Sequence, residues 1–131
     1  MVTIHGPKKL TRSKNELANI LPKNRNIGLL GALKGYLSNQ RNYRNYEMLN
    51  NRGNLVGFAM TIPDENTLEI GLLATKMGHK YGPQLMNRIK NNARRNGFKK
   101  INLYSVERAK PFYGRQGFTG PYLQLSFNLT K

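Results

Sequence analysis

The sequence predicts a mixed α/β (α+β) fold, in which helices flank a central sheet that is mostly antiparallel. Three observations support this prediction. Residues 43–74 contain three successive segments in which apolar and polar side chains alternate, as they do in half-buried strands. After Gly82 the apolar period changes to that of a helix. From Lys99 onward the chain returns to short strand-like segments separated by one short helix.

The first 42 residues carry the weakest pattern. Residues 2–4 are typical of a short strand, whereas residues 14–21 and 27–37 have the apolar spacing of helices, although the second of these contains three glycines. We therefore expect one strand and two helices in this part of the chain.

The next three segments predict strands at residues 43–49, 55–62 and 67–74. In the second of them, Val56, Phe58, Met60 and Ile62 fall on one face. The residues Pro-Asp-Glu-Asn at 63–66 are typical turn formers and predict the connection to the third strand. Three strands joined in this way form an antiparallel sheet.

The clearest helix follows Gly82. Pro83 is tolerated as a first helical residue, and Gly97 is a typical helix stop. Between them, one stripe carries the apolar side chains Leu85, Met86, Ile89 and Ala93.

The last part of the chain predicts a strand, a short helix and a closing strand. The strands are expected at residues 99–106 and 122–129. The helix between them should begin at Ala109 or Lys110, with Pro111 in its first turn, and should end at Gly117.

The composition limits the classes of protein to which this chain can belong. Of its 131 residues, 22 are Lys or Arg and six are Asp or Glu, so the formal net charge is +16. This length predicts a single domain, residues 1–131. The chain has no cysteine, which excludes disulfides, thiolate metal sites and a cysteine nucleophile. Because it also has only two histidines, we expect no metal site. No apolar segment reaches the roughly 18 residues of a membrane span, so we expect a cytoplasmic protein with no membrane partner.

The loop before the long helix has the features of a phosphate-binding corner. Gly78 and Gly82 precede the helix, where free backbone N–H groups and the positive end of the helix dipole favour an anion. Lys76, His79 and Lys80 lie in the same loop and would add charge-assisted hydrogen bonds to a pyrophosphate. Ordinary turn chemistry is the simpler explanation of the glycines, so the loop alone does not decide the function.

Two longer stretches resemble the core motifs of the GNAT superfamily of acetyl-CoA-dependent N-acetyltransferases. They are LEIGLLATKMGHKYGPQLMNRIK at residues 68–90 and KKINLYSVERAKPFYGRQGF at residues 99–118. The second stretch is similar to the family pattern N-x-x-A-x-x-F-Y-x-x-x-G-F. The positions that match are Ala109, Phe112, Tyr113, Gly117 and Phe118.

The chain departs from the family pattern at three positions. The family loop Q/R-x-x-G-x-G/A corresponds here to Met77, Lys80 and Gly82, of which Gly82 alone fits. In addition, Val106 stands where the family often has Asn.

The resemblance implies a GNAT-like fold, acetyl-CoA as the acetyl donor, and transfer to a primary amine by direct attack. In the family, loop amides hold the pyrophosphate and the end of the preceding strand binds the pantetheine arm. The resemblance therefore implies as cofactor-binding residues Leu72, Leu73, Ala74, Met77, Gly78, His79, Lys80, Tyr81 and Gly82.

The resemblance also implies a general acid, Tyr113, which occupies the family's tyrosine position. In that role it would protonate the leaving thiolate. The alternative is a tyrosine at the edge of the core, flanked by Phe112 and Phe118.

Glu69 is the best candidate for the base that accepts the amine's proton. It lies in LEIGLLA, which resembles the strand that bears the catalytic glutamate of histone-type acetyltransferases. The alternative is a solvent-facing strand residue with no role in catalysis. Glu47 and His79 are further candidate bases.

Positive charge is concentrated around the long helix. Residues 76–100 contain eight Lys or Arg and no Asp or Glu, whereas ordinary surfaces mix both signs. Charged helix faces are commonly only solvated, but an excess of one sign is also what a polyanion-binding surface requires. The residues predicted to form this surface are Arg88, Lys90, Arg94, Arg95, Lys99 and Lys100.

These observations leave two functional hypotheses. In the first, the protein is an N-acetyltransferase whose acceptor is part of an acidic or nucleic-acid-associated macromolecule, because a strongly basic enzyme would repel a basic acceptor. In the second, the departures at Met77, Lys80 and Val106 mark a catalytically degenerate GNAT-fold module. Such a module would bind nucleic acid or an acidic protein through its basic surface.

Overall fold

The computed structural model describes residues 2–21, 27–38, 44–77 and 80–130. The N-terminal third contains strand β1 (Thr3–Lys8) and helices α1 (Lys14–Ile20) and α2 (Ile27–Ser38). The elements predicted there are confirmed, and β1 is longer than expected. None of the helices formed by the described residues is long and apolar enough to span a bilayer.

Three antiparallel strands follow, β2 (Arg44–Leu49), β3 (Leu55–Asp64) and β4 (Thr67–Thr75). Tyr43, the predicted first residue of β2, lies outside the described residues. The turn is shorter than predicted, because Pro63 and Asp64 belong to β3 and pair with Leu68 and Thr67.

The C-terminal elements are α3 (Tyr81–Arg95), β5 (Lys100–Tyr104), a 3₁₀ turn (Glu107–Ala109), α4 (Lys110–Arg115) and β6 (Gln124–Asn128). Helix α3 begins at Tyr81, two residues before the predicted start, so Pro83 lies inside the first turn. A proline is accepted there because first-turn N–H groups have no partner within the helix. Both strands are shorter than predicted, whereas α4 begins where expected, with Pro111 as its second residue.

The six strands form one sheet in the order β1-β2-β3-β4-β5-β6. All neighbouring strands are antiparallel except β4 and β5, which are parallel. One core lies between the sheet and helices α3 and α4, and it includes Leu85, Met86 and Ile89. A second core lies on the other face, beneath α1 and α2. The predicted α/β fold, with a mostly antiparallel sheet flanked by helices, is confirmed.

A β-bulge at Gly71 exchanges the two faces of β4. Ile70 pairs with Thr61 and Leu72 pairs with Met60, so Gly71 is an extra residue without an opposite partner. Before the bulge, Ile70 points into the core beneath α3. Beyond it, Leu72 and Ala74 point into the core beneath α1 and α2. The even-numbered residues of β4 therefore face the core beneath α3 before the bulge and the core beneath α1 and α2 after it.

The carboxylate of Glu47 on β2 connects β1 to the start of α1. Lys8 Nζ lies 2.8 Å from one carboxylate oxygen. The backbone N–H groups of Thr11 and Arg12 donate to the other oxygen at 2.8 and 3.0 Å. The adjacent helix is capped by Ser13, whose hydroxyl accepts the N–H of Glu16. These contacts fix the position at which α1 lies on the sheet.

The same contacts control the ionisation of Glu47. Its burial acts to raise the pKa, but the hydrogen bonds from Lys8, Thr11 and Arg12 outweigh burial and hold the pKa below its ordinary value of 4.5. A lowered folded-state pKa stabilises the fold at pH values above 4.5, and this stabilisation is lost as the pH falls through the folded-state value.

We expect Glu47→Gln to lower the free energy of unfolding at pH 7 by about 2 kcal/mol, because it leaves a half-buried ammonium and two amides poorly paired. The variant should also lose less stability than the parent protein when the pH is lowered from about 5 to about 3. Urea unfolding at several pH values measures both effects. Glu16→Gln is the control, since its exposed pair with Arg12 should contribute less than about 0.5 kcal/mol. Equal effects of the two substitutions would contradict this role of Glu47.

Candidate active site

A cleft opens where β4 and β5 separate. The parallel register of these strands ends at the pair Ile70 and Leu103, although β4 continues to Thr75. Beyond that pair lies a largely apolar cavity of about 450 Å³, bounded by the second half of β4, the end of β5 and helix α4. Leu21, next to the end of α1, also lines it.

Part of the β4 backbone faces this cleft. The N–H of Lys76 donates to the carbonyl of Val56 on β3 at 2.8 Å. Since successive residues of a strand direct their polar groups to opposite sides, Leu73 and Thr75 direct theirs away from β3 and towards the opening. Strand β5 no longer runs alongside them. Their amides are therefore placed to bind a ligand that takes the position of a missing strand.

The predicted cofactor-binding residues on β4 differ in position. Leu73 lies at the cleft with its backbone directed into it, as described above. Leu72 and Ala74 also line the cleft, but their side chains are buried in the core beneath α1 and α2, and their backbone groups point to β3. Thr75 was missed by the sequence analysis. The signal for it is the two-residue alternation, which becomes usable only when the register with β3 is known.

The loop before α3 is partly described. Gly78 and His79, both predicted to hold a pyrophosphate, lie outside the described residues. Lys80 is exposed and occupies the N-cap position of α3, and Tyr81 is its first residue. The side chain of Met77 is 92% exposed. The first turn of the helix carries no acidic residue, so its N-terminal amides lie in a positive environment.

Gly82 serves packing between α3 and α4. A Cβ atom at this position would lie 2.9 Å from Cε1 of Phe112, which is closer than van der Waals contact permits. Phe112 itself is half-buried and lines the cleft. The requirement for glycine at position 82 therefore has a structural cause that is independent of phosphate binding.

Tyr113, a residue of α4, lies at the wall of the cleft. Its ring makes edge-to-face contacts with Phe112 and Phe118, with ring centroids 5.1 and 5.7 Å apart. The side chain lines the cavity although the residue is only 8% exposed. Burial raises the pKa of the Tyr113 hydroxyl to about 12, so this group keeps its proton throughout the neutral range. The two predicted roles, core residue and proton donor, are compatible in this geometry.

Glu69 lies on the other face of the sheet. Its neighbours Leu68 and Ile70 both point into the core beneath α3, so the side chain of Glu69 points the opposite way. There it borders a shallow pocket of about 360 Å³ together with Asn102 and Tyr104 of β5. Within the described residues, Glu69 takes part in no ion pair.

Polar contacts between β5 and β6 form another part of this pocket, which is also lined by Leu103, Pro121 and Leu125. The hydroxyl of Ser126 donates to the Asn102 amide oxygen at 2.6 Å, and the Gln124 amide donates to the Tyr104 hydroxyl at 2.6 Å. The pocket therefore combines one carboxylate with neutral polar groups. Such a lining suits an amine.

Of the two alternative bases, Glu47 is described by the structure and His79 is not. Glu47 is occupied by Lys8, Thr11 and Arg12, so it serves the fold. His79 lies outside the described residues.

Of the six residues predicted to form a basic surface, five are exposed, namely Arg88, Arg94, Arg95, Lys99 and Lys100. Lys90 differs from these five, because it is half-buried. Its ammonium donates to the Gln116 carbonyl and lies 3.9 Å from the centroid of the Phe127 ring. Burial, and to a smaller extent the charge of Arg94, lowers the pKa of Lys90. Lys90 thus packs α3 against the end of α4 and β6.

The described residues fit the acetyl-CoA that the sequence resemblance implies. The apolar walls of the cleft suit a pantetheine arm, and the amides of Leu73 and Thr75 offer it hydrogen bonds of the kind that a neighbouring strand would make. The positive N-terminus of α3 lies next to the cleft through Met77 and Gly82, which line it, and suits a pyrophosphate.

Comparison with protein families gives one match of broad extent. The family described as "Acetyltransferase (GNAT) domain" matches residues 29–122, which is more than half of the chain. No curated protein sequence matches this chain.

Solved structures of similar fold include an acetyltransferase of the GNAT family from Staphylococcus aureus, at 19% identity over 99% of this chain and 100% of that chain, with a TM-score of 0.77. The ribosomal-protein-S18-alanine N-acetyltransferase from Escherichia coli is 16% identical over 100% of this chain and 96% of its own, with a TM-score of 0.71. The catalytic domain of a Tetrahymena histone acetyltransferase in complex with coenzyme A is 19% identical over 93% of this chain and 79% of that chain, with a TM-score of 0.66.

We expect Gly82→Ala to lower the free energy of unfolding by about 1 kcal/mol, because the new methyl group meets the Phe112 ring. Gly35→Ala is the matched control, since a Cβ there has no neighbour within 4 Å, and it should be stabilising by about 0.5–1 kcal/mol through helix propensity. Adding Phe112→Leu should recover much of the Gly82→Ala loss, and a double-mutant cycle in thermal or urea unfolding measures that coupling. A Gly82→Ala variant as stable as Gly35→Ala would show that the packing argument is wrong.

Proposed function

This chain belongs to the GNAT acetyltransferase family, and we propose that it is an N-acetyltransferase that moves an acetyl group from acetyl-CoA to a primary amine by direct attack. The observation that carries the proposal is the separation of β4 from β5, which leaves an apolar cleft with free strand amides on one wall and Tyr113 on another. The strand amides can bind the extended arm of a thioester substrate, and Tyr113 can donate a proton to its sulfur atom.

Acetyl-CoA would supply the activated acetyl group, which it carries as a thioester. The chain's own contribution begins with orientation. Backbone N–H groups of Leu73 and Thr75 can bind the arm, and an amide at this position can polarise the thioester carbonyl, since fixed donors are most effective in a site that excludes water. Lys80 and the first amides of α3 would hold the pyrophosphate, with Gly78 and His79 expected to assist.

Tyr113 is the proposed general acid. It would donate the hydroxyl proton to the sulfur atom of the leaving group as the carbon–sulfur bond breaks. A hydroxyl with a pKa of about 12 is protonated at neutral pH and is therefore ready to donate. Contacts with Phe112 and Phe118 fix the ring so that little reorientation is needed.

Glu69 is the proposed general base. An amine must lose its proton before or during attack, and a carboxylate in the adjacent polar pocket can accept that proton directly or through water. Tyr113 and Glu69 lie on opposite faces of the sheet, which separates the side that receives the leaving group from the side that receives the amine. Direct attack is favoured because the chain has no cysteine to carry the acetyl group.

The acceptor is proposed to be an amine on an acidic or nucleic-acid-associated macromolecule. A net charge of +16 attracts such a partner and repels a basic one. Glu69 provides a local negative charge for the amine itself within this positive protein.

Acetyl-CoA should raise the melting temperature of the protein, because a ligand that binds only the folded state adds about 2.7 kcal/mol of stability at a hundredfold excess over its Kd. The control ligand is ATP, which carries phosphates but no pantetheine arm. Differential scanning fluorimetry with both ligands measures the difference. An equal shift with ATP would indicate non-specific anion binding, and no shift with millimolar acetyl-CoA would reject the enzymatic proposal.

Tyr113→Phe and Glu69→Gln should slow turnover in distinguishable ways. We expect Tyr113→Phe to lower kcat by about 10²-fold or more at every pH up to about 10, with little effect on KM, because the lost proton donor is not titrated in that range. Glu69→Gln should be most damaging near pH 7 and should recover towards pH 10, where a free amine of pKa about 10.4 loses its own proton. Steady-state pH profiles with a peptide or small-amine acceptor measure both effects. Unchanged profiles in either variant would remove that residue from the mechanism.

A further inference from the structure

The outward face of α3 is polar and carries positive charge only. Its buried stripe is formed by Gly82, Leu85, Met86, Ile89 and Ala93, which leaves the opposite side to solvent. The exposed side chains of the helix are Gln84, Asn87, Arg88, Asn91, Arg94 and Arg95. Three amides and three guanidinium groups therefore share this face, and the sequence places no carboxylate between Lys76 and Lys100.

Arg44 of β2 extends this face at one side of the helix. Its guanidinium donates to Oδ1 of Asn92 at 2.8 Å and lies 5.8 Å from the centroid of the Phe98 ring. The Tyr46 hydroxyl donates to the same Asn92 oxygen at 3.2 Å. These contacts hold Arg44 against α3, while its buried Nε finds no hydrogen-bond partner among the described residues.

Arg88 is held by a contact outside α3. It donates to the carbonyl of Gly6 at 2.9 Å, which ties it to the edge strand β1. Both guanidinium groups are close enough to Tyr46 to act on the pKa of its hydroxyl. Burial nevertheless outweighs them, and the pKa of Tyr46 is raised. Two arginines of this face are thus held in place by polar contacts, Arg44 through Asn92 and Arg88 through Gly6.

No described residue of α3 takes part in an ion pair. In the described part of the chain, the ion pairs are Lys8–Glu47 and Arg12–Glu16, both in the N-terminal elements. Lys99 and Lys100 border a depression that also contains Asp64 and Glu65, so their charge is partly offset. We therefore define the α3 basic face as Arg44, Arg88, Arg94 and Arg95.

A folded protein gains nothing from like charges placed together on one helix, since such pairs repel. Arginines that are already oriented by Asn92 and Gly6 lose little further freedom when they bind an anion. Guanidinium groups pair with phosphate through two parallel hydrogen bonds, and exposed amides of Asn and Gln add neutral donors for phosphate and sugar oxygens.

We propose that the α3 basic face docks a nucleic acid through its phosphodiester backbone. The face lies across the sheet from Glu69, so the docked strand leaves the amine pocket open. The role of that separation rests on the proposed function: the enzyme is held on a nucleoprotein by α3 and acetylates an amine that reaches the other side of the sheet. The docking itself does not depend on catalysis.

Two variants of equal net charge test this proposal. Arg88→Gln, Arg94→Gln and Arg95→Gln together remove three charges from the α3 basic face. Lys9→Gln, Lys14→Gln and Lys34→Gln together remove three exposed charges from β1 to α2 and serve as the control. Fluorescence anisotropy with a labelled 20-nucleotide single-stranded RNA, and with duplex DNA of the same length, measures affinity between 50 and 300 mM salt.

We expect the α3 variant to bind about tenfold or more weakly at low salt, and its slope of log K against log salt to be smaller by about 0.7 per lost contact on a single strand or 0.9 on a duplex. The control should change both quantities much less. Tight binding of either nucleic acid with this pattern supports the proposal, and the tighter of the two identifies the natural class.

Three results would overturn the proposal. Equal losses in both variants would mean that net charge alone is responsible. Equally tight binding of poly-L-glutamate that displaces the RNA would indicate an acidic protein partner. Displacement of the RNA by acetyl-CoA would place it in the cleft instead of on α3. The shift in melting temperature caused by acetyl-CoA is recorded for each variant, so that a failure of docking and a failure of the proposed enzymatic function can be told apart.

Discussion

The constraint on which the site depends is that the only parallel strand pair of the described sheet is short. Strands β4 and β5 pair over four positions, from Thr67 with Lys100 to Ile70 with Leu103, and then separate. Strand β4 is still held by β3 on its other side, so it stays extended while one row of its backbone groups loses a partner. Unpaired amides in an apolar surrounding are costly for a protein alone. They are useful only where a ligand replaces the missing strand, and the cleft is shaped for such a ligand.

The bulge at Gly71 adds a second consequence. Because one extra residue lies between Ile70 and Leu72, β4 exchanges its faces at the point where β5 leaves. A side chain at position 71 would meet the Tyr36 ring of α2 at 2.9 Å, which explains a glycine there. Beyond the bulge the backbone of Leu73 is directed into the cleft, whereas Glu69, before the bulge, keeps the face that its neighbours Leu68 and Ile70 impose.

Much of this arrangement could be predicted from local patterns, and the rest could not. The stripe of α3 and the strand alternation follow from periodicities that burial imposes, and Pro111 correctly indicated the start of α4. That Thr75 faces the cleft can be recognised only when the register between β3 and β4 is known. The burial of Lys90 depends on Phe127, which belongs to a strand 37 positions later in the chain. Glu47 was considered as a base, because nothing in its neighbouring residues indicates that Lys8, Thr11 and Arg12 occupy it. Contacts between distant parts of the chain have no local signal in one sequence.

The acidic residues are distributed unevenly over the structure. Two of the six, Glu16 and Glu47, pair with cations at the N-terminal elements, and Asp64 and Glu65 lie near Lys99 and Lys100. Glu69 stands in the polar pocket beside the cleft. Each of these carboxylates reduces the positive potential of its own region, whereas α3 has none. Since the field of a protein is strongest where charges of one sign are left uncompensated, the proposed attraction for a polyanion would be directed to α3, on the side of the sheet away from the proposed amine pocket.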